Sequence, residues 1–123
     1  MTIIGTGVDL VEVPRFEQAM SRWGSRFLER IFTPAEMAYS QSHKTMGQRL
    51  AARFAAKEAV VKALGAPKGL GLQWQDLEIT RSRTGQPGVR FHGTMARWQG
   101  LGVHLSITHT RDYAVATALI CRR

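Results

Sequence analysis

Asp9, Glu58 and Lys62 are the residues of this 123-residue chain whose types and spacing best suit chemistry. Asp9 interrupts an aliphatic stretch, Val8-Asp9-Leu10-Val11, where aspartate is uncommon and is seldom buried without a partner. Glu58 and Lys62 stand four apart in Arg53-Phe54-Ala55-Ala56-Lys57-Glu58-Ala59-Val60-Val61-Lys62-Ala63-Leu64-Gly65, one helical turn from each other. Two carboxylates offer hard oxygen donors. Magnesium commonly takes one or two of these and completes its shell with water and substrate phosphate. Zinc would call for more nitrogen or sulfur. An ammonium one turn from Glu58 suits the same phosphates. A Glu-to-Lys pair at this spacing is ordinarily a solvated surface pair contributing roughly 0.2–0.5 kcal/mol. The helix that carries it argues for more.

That helix has no clean polar face. At about 100° per residue, Arg53 and Lys57 fall among Leu50, Val60 and Leu64, with Phe54 and Val61 between them and the Glu58–Lys62 pair. The far side is alanine: Ala52, Ala55, Ala56, Ala59 and Ala63. Both sides read as buried, so the charges must sit in crevices or at an interface, with partners. The helix spans about 46 to 64 and is closed by Gly65, with Pro67 beyond.

The remaining elements must position these groups. Residues 3 to 13 read as a strand, with Ile4, Val8 and Leu10 on one face and Ile3, Asp9 and Val11 on the other. Gly5 and Gly7 admit close backbone approach. Pro14 opens a helix to Trp23 with a core-facing stripe of Phe16, Ala19, Met20 and Trp23. Its outer side presents Arg15 and Arg22, seven apart, with Arg26 just beyond. Thr33-Pro34-Ala35-Glu36 is a capping box that starts a helix over roughly 34 to 43. Strands follow at 74–81 and 89–92 about a Gly85–Pro87 turn, then a short helix at 94–98 and a hairpin of 103–109 with 113–120. This order predicts a single α+β domain over residues 1–123, an antiparallel sheet packed with a long central helix. His109 ends a strand in phase with apolar neighbours, where most histidines are structural. Ser106 and Thr108 lack a nucleophile-elbow context, and Gly65, Gly69 and Gly71 form no phosphate-binding loop.

Seventeen Lys and Arg against nine Asp and Glu give a net charge of +8. Such a chain seeks a polyanion: nucleic acid, a phosphorylated cofactor or an acidic protein. The basic residues are scattered, with no basic tail, which disfavours a simple nucleic-acid arm. There is no apolar run of transmembrane length, and the N-terminal segment lacks the basic start of a signal peptide. The single cysteine, Cys121, rules out an internal disulfide. These features predict a cytoplasmic protein without a membrane partner.

Four segments resemble the bacterial holo-acyl-carrier-protein synthases, the small 4′-phosphopantetheinyl transferases, over nearly the whole chain. They are Gly5-Thr6-Gly7-Val8-Asp9-Leu10-Val11; Phe54-Ala55-Ala56-Lys57-Glu58-Ala59 with Lys62-Ala63-Leu64-Gly65; Asp76-Leu77-Glu78-Ile79 with Gly85-Gln86-Pro87; and Ser106-Ile107-Thr108-His109-Thr110 with Asp112-Tyr113-Ala114. Two departures stand out: Gln86, where lysine is common, and Ala66-Pro67-Lys68, where a glycine-containing loop is usual.

The resemblance implies transfer of the phosphopantetheine arm of coenzyme A to a serine of apo acyl carrier protein, in fatty acid biosynthesis, releasing adenosine 3′,5′-bisphosphate. It implies a homotrimer with active sites between subunits. It implies Mg²⁺ on the coenzyme A pyrophosphate, held by Asp9 and Glu58, with Lys62 on the same phosphates. The nucleotide end would meet Arg53, Lys57, Gly65, Gly85, Pro87, His109 and Thr110. The acidic carrier would dock on Arg15, Arg22 and Arg26. The base that takes the serine proton is Glu58 or a water on the metal. The rival readings are the same transfer onto polyketide or peptide synthase carrier domains, and a non-catalytic module that binds nucleic acid or an acidic protein. The second explains the charge but leaves Asp9, Glu58 and the helix unexplained.

Overall fold

A computed structural model describes residues 2–41, 44–66 and 72–123. Pro67, Lys68, Gly69 and Gly71, named above, lie outside them, as does the end of the helix expected over 34 to 43. The elements run β1 (Thr2–Glu12), α1 (Val13–Ile31), α2 (Pro34–Gln41), α3 (Met46–Leu64), β2 (Leu77–Arg81), β3 (Pro87–Phe91), β4 (Gly102–His109) and β5 (Tyr113–Arg122). Short 3-10 turns at Trp74–Asp76 and Gly93–Trp98 flank the β2–β3 hairpin. All three ladders are antiparallel: β1-β5-β4 form one sheet and β2-β3 a second. The α+β architecture with a long central helix stands. The strand residues divide between two sheets where the sequence reading expects one.

The alanine side of α3 explains the packing. Ala55, Ala56, Ala59 and Ala63 are buried against β1 and β5, whose inward positions include Ala116 and Ala118. On β1 the inward residues opposite them are Gly5 and Gly7. A Cβ added at Gly5 would overlap the Ala63 carbonyl oxygen, and one at Gly7 the Ala59 carbonyl oxygen. Small residues on both surfaces thus bring helix and strand backbones into contact. Asp9, two residues on, follows the same phase to the edge of α3. Among the described residues no helix covers the opposite face of this sheet. Val8, Leu10 and Tyr113 are 57%, 58% and 50% exposed on it.

The capping box forms as expected: Thr33 N donates to Glu36 Oε1 at 2.8 Å and Glu36 N donates to Thr33 Oγ1 at 3.2 Å. The first helix differs from expectation. It resumes after Trp23 and continues to Ile31, with non-helical backbone at Gly24 (φ 66°). The kink turns Trp23 outward, 61% exposed. The second segment supplies Leu28 and Ile31 to the core in its place, packed with Phe16, Phe32 and Leu50. No helix among the described residues is long and apolar enough to cross a membrane.

Candidate functional site

Two cavities on different sides of α3 receive the residues singled out by type and spacing. The first, about 420 Å³, is lined by Asp9, Leu10, Val11, Glu12, Arg15, Phe16, Phe54 and Glu58. Strand β1 brings Asp9 to it and α3 brings Glu58. Lys62 Nζ donates to Asp9 Oδ1 at 2.9 Å and to the Val8 carbonyl at 3.0 Å, so strand and helix are joined at the cavity's rim. The lysine side chain remains 54% exposed and the aspartate 16%. Gly65, with φ 65°, caps α3 at the Lys62 end; its N–H donates to the Lys62 carbonyl at 3.1 Å. Arg15 pairs with Glu12 at 3.5 Å and is itself part of this cavity's wall. It therefore belongs to the carboxylate site as well as to the basic face of α1. Arg22, over the Trp23 ring at 5.0 Å, and Arg26, past the kink, are exposed away from this cavity.

The donor set suits Mg²⁺. Three carboxylates line one cavity, of which Glu12 is paired with Arg15 and leaves Asp9 and Glu58; no group of three or more His, Cys, Asp or Glu placed to hold a metal gathers among the described residues. One or two carboxylates are what Mg²⁺ uses when phosphate and water complete its shell.

The second cavity, about 290 Å³, is lined by Tyr39, Arg49, Ala52, Arg53, Arg81, Ile107, Thr108 and His109. Three guanidiniums converge on it, from α3 and from the end of β2. Arg53 is buried and donates through Nη1 to the Ile79 carbonyl. Burial, with Arg81 adding to it, pulls Arg53 below its usual value, against the opposing pull of Glu36. Arg49 Nε is buried without a hydrogen-bond partner among the described residues. Arg81 Nη1 donates to the Gly85 carbonyl at 2.8 Å, which ties the turn carrying Gly85 (φ 86°) and Pro87 to the cavity. His109 Nδ1 lies 3.2 Å from Gln48 Oε1. Burial, then Arg49 and Arg81, lower the His109 ring from its ordinary value and disfavour its charged form. Thr110 follows at the strand end, where its Oγ1 accepts from the Asp112 and Tyr113 N–H groups. Three guanidiniums around one cavity are groups that pair well with anions.

Lys57 does not reach either cavity. Its Nζ is fully buried, 2.8 Å from Glu36 Oε1, and donates to the carbonyls of Ile31 (2.7 Å) and Trp74 (3.0 Å). All three ammonium protons are used. Burial draws Lys57 below its ordinary value and Glu36 opposes that shift. Glu36 also accepts from Ile79 N at 2.8 Å, so the pair staples α2 to α3 and β2. A ligand role at the nucleotide gives way to a structural one. Loss of one partner would leave an uncompensated buried charge, a cost of about 3–5 kcal/mol.

The expected site residues thus sort into two groups that share no lining residue: Asp9, Glu58, Lys62, Gly65 and Arg15 in one; Arg53, His109, Thr110, Gly85 and Pro87 in the other. Five positions separate Arg53 from Glu58, which turns them about 140° apart around the helix. The sequence reading missed Arg49, Arg81, Tyr39 and Gln48. Arg49 could have been found: Arg49, Arg53 and Lys57 form an i,i+4 row of like charges, which an isolated helix would avoid.

Comparison with known proteins gives the following. The family model of the 4′-phosphopantetheinyl transferase superfamily matches residues 5–118. A holo-[acyl-carrier-protein] synthase of Koribacter versatilis is 51% identical, with 96% of this chain and 98% of that protein covered. One of Solibacter usitatus is 46% identical over the same shares. Among solved structures, the Bacillus anthracis holo-(acyl-carrier-protein) synthase in complex with CoA (3′,5′-ADP) superposes with a TM-score of 0.84 at 31% identity, covering 100% of both chains. The Helicobacter pylori holo-[acyl-carrier-protein] synthase in complex with coenzyme A gives 0.82 at 28% identity, covering 94% of this chain and 98% of the other.

Proposed function

The chain belongs to the 4′-phosphopantetheinyl transferase superfamily, in its holo-[acyl-carrier-protein] synthase branch, and we propose that the two groups of side chains on opposite sides of α3 serve one transfer from two subunits. The reaction moves the 4′-phosphopantetheine arm of coenzyme A to a serine of apo acyl carrier protein. The serine oxygen forms a bond to the β-phosphorus, the pyrophosphate bridge breaks, and adenosine 3′,5′-bisphosphate leaves. The observation that carries the division of labour is the separation of the carboxylate cavity from the arginine cavity. Coenzyme A bears a pyrophosphate and a separate phosphate monoester, and neither of these two cavities offers both kinds of site.

Asp9 and Glu58 would hold Mg²⁺ at the pyrophosphate; bound there, the ion neutralises charge and fixes the orientation of the phosphates. Lys62, held at the rim by Asp9 and the Val8 carbonyl, adds positive charge where it accumulates on the phosphoryl oxygens. Arg49, Arg53, Arg81 and His109 of a neighbouring chain would take the monoester. A homotrimer supplies that neighbour. The uncovered sheet face supports it, since Val8, Leu10 and Tyr113 leave apolar surface of the kind that marks a protein interface. The cytoplasm is the compartment proposed for the reaction, as the single cysteine led us to expect. Incubation with coenzyme A, Mg²⁺ and apo acyl carrier protein should add one phosphopantetheine group by mass spectrometry, and none when Mg²⁺ is chelated. Folded protein that modifies no acyl carrier protein tested would refute the assignment.

The net charge of +8 supports an acidic carrier as the acceptor. Arg22 and Arg26 test the docking surface more cleanly than Arg15, which lines the carboxylate cavity. Arg22→Glu with Arg26→Glu should raise the KM for carrier protein about ten-fold or more and flatten its salt dependence, with the KM for coenzyme A unchanged. Arg15→Glu should disturb both constants. Normal handling of the carrier by the double variant would remove α1 from the docking surface.

His109 offers a pH observable. In the free protein its ring should titrate below the ordinary histidine value, because two arginines and burial disfavour its charge. Adenosine 3′,5′-bisphosphate should move that titration upward, as the bound anion offsets Arg49 and Arg81. NMR titration of the ring protons reads both values. An unmoved His109 would place the anion elsewhere.

A further inference from the structure

The arginine cavity has an aromatic component. Tyr39 comes from α2, and its ring lies in the cavity wall. The Arg53 guanidinium carbon sits 4.5 Å from the ring centroid and that of Arg81 sits 5.4 Å from it. Both are within the range of attraction to an aromatic face. The two arginines come from different elements, α3 and β2, and among the described residues Arg53 donates to the Ile79 carbonyl and Arg81 to the Gly85 carbonyl. Their like charges repel across a small cavity. Helix α2 is the element fixed to both of theirs. Glu36, one turn before Tyr39, bonds Lys57 of α3 and Ile79 N of β2. The ring therefore stands at a rigid junction, with an arginine arriving from each side of the staple.

We propose that Tyr39 is a positioning residue: its π face sets the spacing and orientation of Arg53 and Arg81, and thereby the affinity of this cavity for a phosphate monoester. The proposal rests on the reading that the cavity takes the monoester of coenzyme A. Aromatic attraction offsets the repulsion between the guanidiniums before the anion arrives, so less ordering is left for binding. Arg81 also carries the Gly85–Pro87 turn, so the ring's influence extends to that turn.

Tyr39→Phe keeps the π face, and Tyr39→Leu keeps apolar bulk without it. Two readouts are taken on each. The first is transfer kinetics with coenzyme A and with dephospho-coenzyme A, which lacks the monoester. Tyr39→Leu should raise the KM for coenzyme A about ten-fold while leaving kcat and the KM for dephospho-coenzyme A near wild type. Tyr39→Phe should behave as wild type. Equal rises for both substrates would show that the ring touches the nucleoside instead, and an unchanged KM would show that it does nothing; either overturns the proposal. The second readout is ¹⁵N NMR of the Arg53 and Arg81 guanidiniums in the ligand-free protein. These should be resolved in wild type and Tyr39→Phe and broadened or averaged in Tyr39→Leu; no difference overturns the positioning role. If wild type transfers equally well from both substrates, the assignment of the monoester to this cavity fails, while the NMR still decides whether Tyr39 orders the arginines.

Discussion

Asp9→Ala and Glu58→Ala are each expected to lower turnover by on the order of 10³-fold, the scale seen when a preorganised electrostatic contact to the reacting group is lost. Each removes one of the two carboxylates of this cavity that Arg15 does not pair, Glu12 being the third, and no cluster of three or more candidate ligands exists among the described residues to replace them. Thermal unfolding should move little, since neither carboxylate is part of the core. Asp9 has a second duty that a further variant separates. Its Oδ1 holds Lys62, so Asp9→Ala frees the ammonium as well as removing an anion. Asp9→Asn keeps an oxygen that can accept from Lys62 but removes the charge. If Asp9→Asn is as inactive as Asp9→Ala, the charge is what matters, as metal ligation requires. If it keeps most of the wild-type rate, Asp9 serves to aim Lys62. Lys62→Ala should reduce kcat by about 10²-fold with a smaller change in the KM for coenzyme A, because its charge gains most as charge shifts among the phosphate oxygens. An effect confined to KM would make Lys62 a ground-state contact.

How far these groups were legible in the sequence follows from the range of the interactions that place them. The capping box at Thr33 and Glu36 and the left-handed cap at Gly65 are local hydrogen-bond arrangements, and both formed where the sequence put them. The central helix has the expected limits, and its alanine side packs as expected because only small residues allow β1 that close. Arg53 and Lys57 lie close together on the helix and the resemblance places both at the nucleotide, but their environments differ. Lys57 faces Glu36, a partner 21 positions away that the capping box itself aims inward. Nothing in the spacing of α3 distinguishes an internal staple from a ligand contact. Arg81 was missed for the converse reason: it ends a strand that reads as plain sheet, and only the fold brings it beside His109. The sequence reading carries the first helix only to Trp23, the last residue of its apolar stripe. The chain instead bends at Gly24 and resumes, because Leu28 and Ile31 have core to reach.

Mixing two variants that each lack activity should restore it, and this is the sharpest consequence of a site divided between subunits. Glu58→Gln disables the carboxylate group and leaves the arginine cavity whole. Arg81→Ala with His109→Ala does the reverse, and neither change touches the core ion pair of Lys57 and Glu36. Alone, each protein should be at least about 10²-fold slower than wild type at subsaturating coenzyme A, given the cost of losing charge-assisted contacts to phosphate. In a trimer assembled at random from equal amounts, each interface joins the carboxylate side of one chain to the arginine side of the next. About a quarter of the interfaces then carry an intact Glu58 from one parent and an intact Arg81 and His109 from the other, so about a quarter of wild-type activity should return. Co-expression of the two chains with different affinity tags isolates the mixed assembly, in which one interface in three is intact, so about a third of wild-type activity should return there. Activity no greater than the sum of the parents would mean that one chain completes its own site. The 140° between Arg53 and Glu58 around α3 would then have to be spanned by the substrate within a single protomer.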